Sequence, residues 1–225
     1  MGSIRSHFNK LKETLAPMPW KKRLEYLGTY YLWVPIVLLV LILAAASIIP
    51  SVLESRKEVL FGGMYVNIPL SEEGQTILTE ELFTHLGGSD HSRQKVTLTR
   101  GSVNPDSEDI YAAYAETTTI AAQITARELD YILMDEVAKD YFAAHEITGS
   151  LEDLLTARQL EALRDRLVYR EGSNGSKYPF AIDLTGTPFA AACGMTEAKL
   201  YVAFPGNTDR AERATDFVDY LLDRK

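Results

Sequence analysis

An uncharged and strongly apolar segment constrains this chain more than any other feature. No charged residue occurs between Glu25 and Glu54, and Leu32–Ile49 is almost entirely apolar (LWVPIVLLVLILAAASII). A helix rises about 1.5 Å per residue, so this run spans roughly 27 Å, close to the thickness of the hydrocarbon core of a bilayer. The sequence therefore predicts a single transmembrane helix over residues 29–50, in contact with lipid.

The charges on the two sides of this segment predict its orientation. Residues 1–28 carry six basic and two acidic side chains, whereas residues 51–225 carry, by difference, 17 basic and 29 acidic ones. Because basic residues flank the cytoplasmic side of membrane helices, we expect a basic cytoplasmic tail over 1–28 and an extracytoplasmic C-terminal part. The predicted location is the cell membrane, crossed once.

A cleaved signal peptide is the alternative to an anchor. The small residues Ala44–Ser47 resemble a cleavage site, but Ile48 and Ile49 continue the apolar run beyond them. Signal peptides have a shorter apolar region that ends at the small residues. The sequence therefore favours an uncleaved anchor.

Composition excludes several classes of function. An acidic outer part lacks the basic surface that nucleic acid phosphates require, so no nucleic acid partner is expected. The single cysteine, Cys193, excludes an internal disulfide, and the four histidines show no HExxH spacing. No GxSxG, SxxK or phosphate-binding glycine loop occurs. We therefore expect no metal, no cofactor and no enzymatic activity.

The remaining sequence alternates between strand and helix patterns. A charged linker is predicted over 51–60, and residues 61–225 are long enough for one hydrophobic core. Alternation of this kind predicts an α/β fold, a three-layer sandwich with a mostly parallel sheet. The third strand is compact and apolar enough to be central and parallel. The predicted strands are Met64–Leu70, Lys95–Arg100, Leu129–Met134, Pro179–Leu184 and Ala198–Phe204.

Two blocks of sequence resemble bacterial extracellular solute-binding proteins. Residues 124–155 (ITARELDYILMDEVAKDYFAAHEITGSLEDLL) are similar to a segment of those proteins in which a helix leads into a buried strand that ends in Asp. Residues 198–223 (AKLYVAFPGNTDRAERATDFVDYLLD) resemble their returning strand and following helix. Those proteins have two lobes that close on a ligand, whereas this sequence has room for one.

The resemblance implies a membrane-tethered single lobe that works as a binding or accessory subunit. The partner it implies is a transporter, in a Gram-positive-type envelope where tethering replaces a periplasm. An alternative remains open: a structural or regulatory protein-interaction domain of the cell envelope that keeps the sheet without binding a small ligand.

Candidate ligand-binding residues follow the predicted strands. Asp135 comes directly after the third strand, where α/β folds present ligand-facing groups, although Asp at this place also caps helices. Asp183, Thr185 and Thr187 surround a glycine in FAIDLTGTPF. They are expected either at the same ligand-facing rim or in a turn that needs those residue types.

An aromatic pair completes the candidate site. Tyr111 and Tyr114 open the second predicted helix, close to the polar loop that follows the second strand. The two rings are expected either to stack on a ligand or to pack in the core as part of the apolar face of the helix.

Overall fold

The structure, a computed structural model, describes residues 16–17, 19–22, 33–173 and 175–223. The chain separates into two compact units, residues 1–56 and 57–225. Most of the predicted basic tail and the start of the predicted transmembrane segment lie outside the described residues. In the first unit, helix α1 spans Trp33–Ser55. Among the described residues, no helix has the length and hydropathy needed to cross a membrane.

The second unit has an α/β fold. Its strands are β1 (Glu58–Val66), β2 (Gln94–Gly101), β3 (Tyr131–Met134), β4 (Leu167–Glu171), β5 (Lys177–Asp183) and β6 (Tyr201–Ala203). Its α-helices are α2 (Glu72–Thr76), α3 (Leu82–His85), α4 (Ile110–Thr125), α5 (Glu136–Ala144), α6 (Ala157–Ala162), α7 (Pro188–Ala192) and α8 (Ala211–Asp223). A π-helical segment, Ile77–Glu81, joins α2 to α3. Only Arg56 and Lys57 separate α1 from β1.

The six strands form one mixed sheet in the order β2-β1-β3-β6-β5-β4. β1 pairs in parallel with β2 and β3, whereas β3–β6, β6–β5 and β5–β4 are antiparallel. The prediction of a mostly parallel sheet is therefore wrong, although β3 does occupy a central position with all four residues buried.

Short connections explain the antiparallel half of the sheet. The loop between β4 and β5 is too short for the crossover that parallel strands need, so the chain turns back beside itself. The segment between β5 and β6 begins and ends at the same edge, where the Leu184 N–H donates to the carbonyl of Leu200 at 2.8 Å. A return at the same edge again gives antiparallel pairing.

Helices cover both faces of the sheet, in agreement with the predicted three layers. On one face, Phe61, Leu133 and Val202 pack with Leu78 and with Phe217 of α8. On the other face, Met64, Ile132 and Ala203 pack with Ile120 of α4 and Phe142 of α5. Successive strand residues point to opposite faces, so the inner strands contribute to both clusters, whereas β2 at the end of the sheet adds Val96 and Leu98 to the first cluster.

A pair of glycines in β1 permits the tightest packing of the sheet. A Cβ atom at Gly63 would overlap the ring of Tyr131, and one at Gly62 would overlap the carbonyl oxygen of Glu128. Tyr131 is fully buried and stacks on Phe61 with ring centroids 5.1 Å apart. Gly63 therefore admits the central aromatic ring of the core, and Gly62 permits the close approach of the Glu128 main chain.

Candidate functional site

The carboxyl ends of β1 and β3 meet the ends of two antiparallel strands at one edge of the sheet. The strand register places Val66, Met134, Tyr201 and Asp183 side by side across β1, β3, β6 and β5. Residues that follow these positions, including Asp135, therefore share this edge, which we call the rim. Two of the predicted site residues, Asp135 and Asp183, are thus brought to the same edge.

Asp135 is the N-cap of α5. Its Oδ1 atom accepts a hydrogen bond from the Ala138 N–H at 2.8 Å, which stabilises the first turn of the helix. The same oxygen accepts a hydrogen bond from the Asn67 amide at 3.3 Å. The capping interpretation of Asp135 is confirmed, and the ligand role stays a prediction.

Asn67 is a rim residue that the sequence analysis missed. Its backbone is left-handed, with φ of 58°, a conformation that asparagine tolerates better than most residues. Its side-chain amide donates to the Val103 carbonyl at 2.7 Å and accepts from the Val103 N–H at 2.9 Å. Asn67 therefore ties the end of β1 to the loop after β2 and to Asp135. The local sign of a chain turn here was an asparagine followed two residues later by Pro69.

The residues around Gly186 form a turn whose hydrogen bonds are internal. Asp183 Oδ1 accepts from the Thr185 N–H at 2.8 Å, and Thr185 Oγ1 accepts from the Leu200 N–H at 3.2 Å. Thr187 caps α7, with its Oγ1 accepting from the Ala190 N–H at 3.1 Å. These contacts agree with the turn interpretation of the FAIDLTGTPF segment.

Charged side chains beside the rim pair with one another. Lys199 Nζ lies 2.5 Å from Glu136 Oε1, and this hydrogen bond raises the pKa of Lys199. Lys139 lies 5.0 Å from the ring centroid of Tyr201, whose pKa is raised chiefly by burial. Both partners of the Lys199 pair are about half exposed, so the pair adds little stability. The charges at this edge are therefore largely compensated locally.

Tyr111 and Tyr114 lie on the surface of α4. Their exposed fractions are 90% and 71%, and Ile110 beside them is 76% exposed. The alternative that these rings pack in the core is therefore wrong. The physical reason is that α4 covers the sheet with little more than Ile120, which is its one buried residue among those described.

A buried ion pair that the sequence analysis also missed lies at the strand ends opposite the rim, just before β3. Asp130 is fully buried and accepts hydrogen bonds from the Gly62 N–H at 2.7 Å and the Thr208 hydroxyl at 2.5 Å. Arg210 Nη1 lies 3.1 Å from Asp130 Oδ2, and its side chain is 25% exposed. Since every contact of Asp130 joins β3 to β1 or to the start of α8, this network is structural.

No cluster of three or more potential metal ligands occurs among the described residues. Comparison with known proteins adds no relative: no family model, curated protein or solved structure matches this chain. The class of protein is therefore defined by its architecture, an α/β domain with a six-stranded mixed sheet.

Proposed function

We propose that this protein is a single-pass bacterial membrane protein whose acidic α/β domain lies outside the cell and binds a partner protein. In this role it is an accessory subunit without catalytic activity. The resemblance to one lobe of a solute-binding protein favours a transporter in the envelope as that partner. The observation that carries the proposal is the exposed and nearly uncharged surface of α4.

The anchor part of the proposal depends on the uncharged segment 29–50, of which the structure describes residues 33–50 as part of α1. Residues 36–43 are all large and apolar, and each is between 46% and 60% exposed. The first charged side chain of the helix is Glu54. A helix that is apolar on every side requires an apolar environment, and a bilayer supplies one. The basic residues before the helix favour a cytoplasmic amino terminus.

The surface of α4 contrasts with the rest of the domain. Residues 51–225 carry a net charge of −12 by difference, yet the 16 residues of α4 include a single charged one, Glu116. Ile110, Tyr111 and Tyr114 are exposed together at the start of the helix. Exposed aromatic side chains of this kind are typical of the centres of protein interfaces.

The charges next to this surface define the chemistry of the partner. Asp106, Glu108 and Asp109 precede the helix and are exposed. An apolar centre beside an acidic rim is complementary to a surface with an apolar centre and basic residues around it. The proposed occupant is therefore a partner protein with an apolar patch bordered by lysine or arginine.

The rim itself supports the protein-interaction alternative better than small-ligand binding. Asp135, Asp183, Thr185 and Thr187 each use a side-chain oxygen to cap a helix or close a turn. These local hydrogen bonds account for the residue types at the rim without a ligand. We therefore assign no small ligand to the rim.

Site-specific photocrosslinking in cells tests the proposed surface. A benzophenone amino acid replaces Tyr111 or Tyr114 in the full chain, and the matched control carries it at Tyr169, which is 54% exposed on β4. We expect a discrete crosslinked product from the α4 positions and none from the control. Mass spectrometry should identify one envelope protein with an apolar and basic contact surface.

Other products would contradict the proposal in distinguishable ways. A product of two 25.1 kDa chains would show that α4 binds a second copy instead of a partner. No α4-specific product would show that the exposed helix is not an interface.

A further inference from the structure

We infer that the cleft between the end of β2 and α4 binds a small zwitterion, a free amino acid with an apolar side chain. The cleft has a volume of about 380 Å³, within the range of about 300–1,000 Å³ that small-molecule sites occupy. It lies beside the carboxyl end of β2, and α/β folds bind ligands at the carboxyl ends of their strands. The inference goes beyond the proposed partner-binding function and does not depend on it.

One wall of the cleft is a single face of α4. Glu116, Thr119, Ile120 and Gln123 line this wall. Their spacing of three, four and seven residues places them on one side of the helix. The same side carries Ile120, the residue through which α4 packs on the sheet. Glu116 and Gln123 are therefore held at the boundary between the helix and the sheet.

The other wall is formed by the end of β2 and by β1. Arg100, Gly101 and Ser102 line it together with Met64. Arg100 stands at the free edge of the sheet, where no further strand confines its long side chain to one face. Met64 and Ile120 are both buried and provide an apolar floor. The cleft thus combines an apolar floor with polar and charged groups around it, as small-molecule sites do.

The cleft contains one charge of each sign, and neither charge is compensated. Arg100 and Glu116 form no ion pair and no side-chain hydrogen bond, with each other or with any other residue that the structure describes. A ligand carboxylate would pair with the guanidinium in a bidentate manner, and a ligand ammonium would pair with the Glu116 carboxylate. A ligand of single charge would leave one of the two groups unpaired. The charges therefore favour a zwitterion.

An unpaired oxygen in the lining indicates that the ligand has N–H donors. The side-chain oxygen of Gln123 is buried and has no hydrogen-bond partner within the described part of the chain, which is unfavourable. The terminal torsion of glutamine is soft, so its amide can turn toward a ligand in the cleft. A primary ammonium has three donors, enough for Glu116 and for Gln123. A quaternary ammonium has none, so a free amino acid fits better than a betaine.

Isothermal titration calorimetry with L-leucine tests the site on the detergent-solubilised full chain. We expect saturable binding. Leucinamide lacks the carboxylate and 4-methylpentanoate lacks the ammonium, and each should bind about tenfold more weakly than leucine or worse. N,N,N-Trimethyl-leucine keeps both charges but has no N–H donor, and it should also bind about tenfold more weakly.

Protein variants locate the two charged contacts. Arg100→Gln should weaken leucine binding by about tenfold and remove the difference between leucine and leucinamide. Glu116→Gln should weaken it to a similar extent and remove the difference between leucine and 4-methylpentanoate. The matched controls Arg158→Gln and Glu152→Gln each remove an exposed charge elsewhere in the domain and should leave binding unchanged. Circular dichroism should show the same fold for all four variants, because all four side chains are exposed.

Several results would overturn the inference. Absence of saturable leucine binding would show that the cleft takes no free apolar amino acid. Equal binding of leucine, leucinamide and 4-methylpentanoate would show that the charges make no contact with the ligand. Equal binding of trimethyl-leucine would contradict the primary ammonium, and unchanged leucine binding by either cleft variant would place the ligand elsewhere. A partner crosslinked at Tyr111 would be unaffected by each of these results, so this inference and the proposed function fail separately.

Discussion

The buried Asp130 carboxylate is expected to contribute much of the stability of the domain. Asp130→Ala would leave the Gly62 N–H and the Arg210 guanidinium without their acceptor at the edge of the sheet. Asp130 is fully buried and the Arg210 side chain is 25% exposed, so water can replace the carboxylate only in part. Breaking such a pair by removing one partner costs about 3–5 kcal/mol of the free energy of unfolding.

Urea unfolding of the full chain in mild detergent measures this loss. The two tryptophans, Trp20 and Trp33, lie outside residues 57–225, so far-ultraviolet circular dichroism is the suitable probe. For a slope of about 2 kcal/mol per molar urea, the unfolding midpoint should fall by about 2 M.

An exposed ion pair supplies the control for Asp130. Asp209→Ala removes the partner of Arg127, and both side chains of that pair are more than half exposed. The midpoint of this variant should stay close to that of the unmodified chain. A midpoint for Asp130→Ala that matches the one for Asp209→Ala would refute the reasoning, because burial would then make no difference.

Further predictions concern the core and the rim. Tyr131→Phe removes a buried hydroxyl that has no partner among the described residues and should raise the free energy of unfolding by about 1–2 kcal/mol, whereas Gly63→Ala should lower it because the new methyl overlaps the ring. Burial raises the pKa of Tyr131 and Tyr201 above the ordinary value of 10.0, so these phenols stay neutral in the folded chain at a pH where they ionise in the unfolded one. Their contribution to the urea midpoint should therefore be constant below pH 10, and the midpoint should fall as the pH rises above it. Asp135→Ala removes the α5 cap and should cost about 1 kcal/mol in the same assay.

Local patterns were sufficient to predict the α/β class and the covered faces of the sheet. β3 is an unbroken apolar run, and Asp135 follows it as a helix cap should. Both features depend on neighbours within a few residues, so they are visible in the sequence.

Features that depend on distant partners were not predictable. The sequence predicts no strand at β4, because the charged amphipathic pattern of Ala157–Val168 predicts one continuous helix that would include the first two residues of β4. In the structure α6 ends at Ala162, and β4 forms from Leu167 because it pairs with β5. Strand formation of this kind follows tertiary pairing more than intrinsic propensity.

The same limit applies to the candidate site. Helical periodicity predicts that Ile110 and Tyr114 share a face with other apolar residues, but it does not say whether that face is covered. The partners of Asp130 lie about 70 to 80 positions away along the chain, so no local signal predicts them. Asn67 lies within the predicted strand Met64–Leu70, but asparagine tolerates a left-handed backbone and so offers a local signal that the strand ends at Val66.

Membrane topology is the most direct test of the central proposal, an anchored chain with its α/β domain outside the cell. One cysteine is added to the chain in each of two variants, Ser3→Cys and Ser173→Cys. Intact cells that carry either variant are treated with a membrane-impermeant maleimide. The unmodified chain is the background control, since its Cys193 is fully buried. We predict labelling of Ser173→Cys alone, with the protein retained in membranes after alkaline carbonate extraction. Labelling of Ser3→Cys alone, or release of the protein by carbonate, would contradict the proposal.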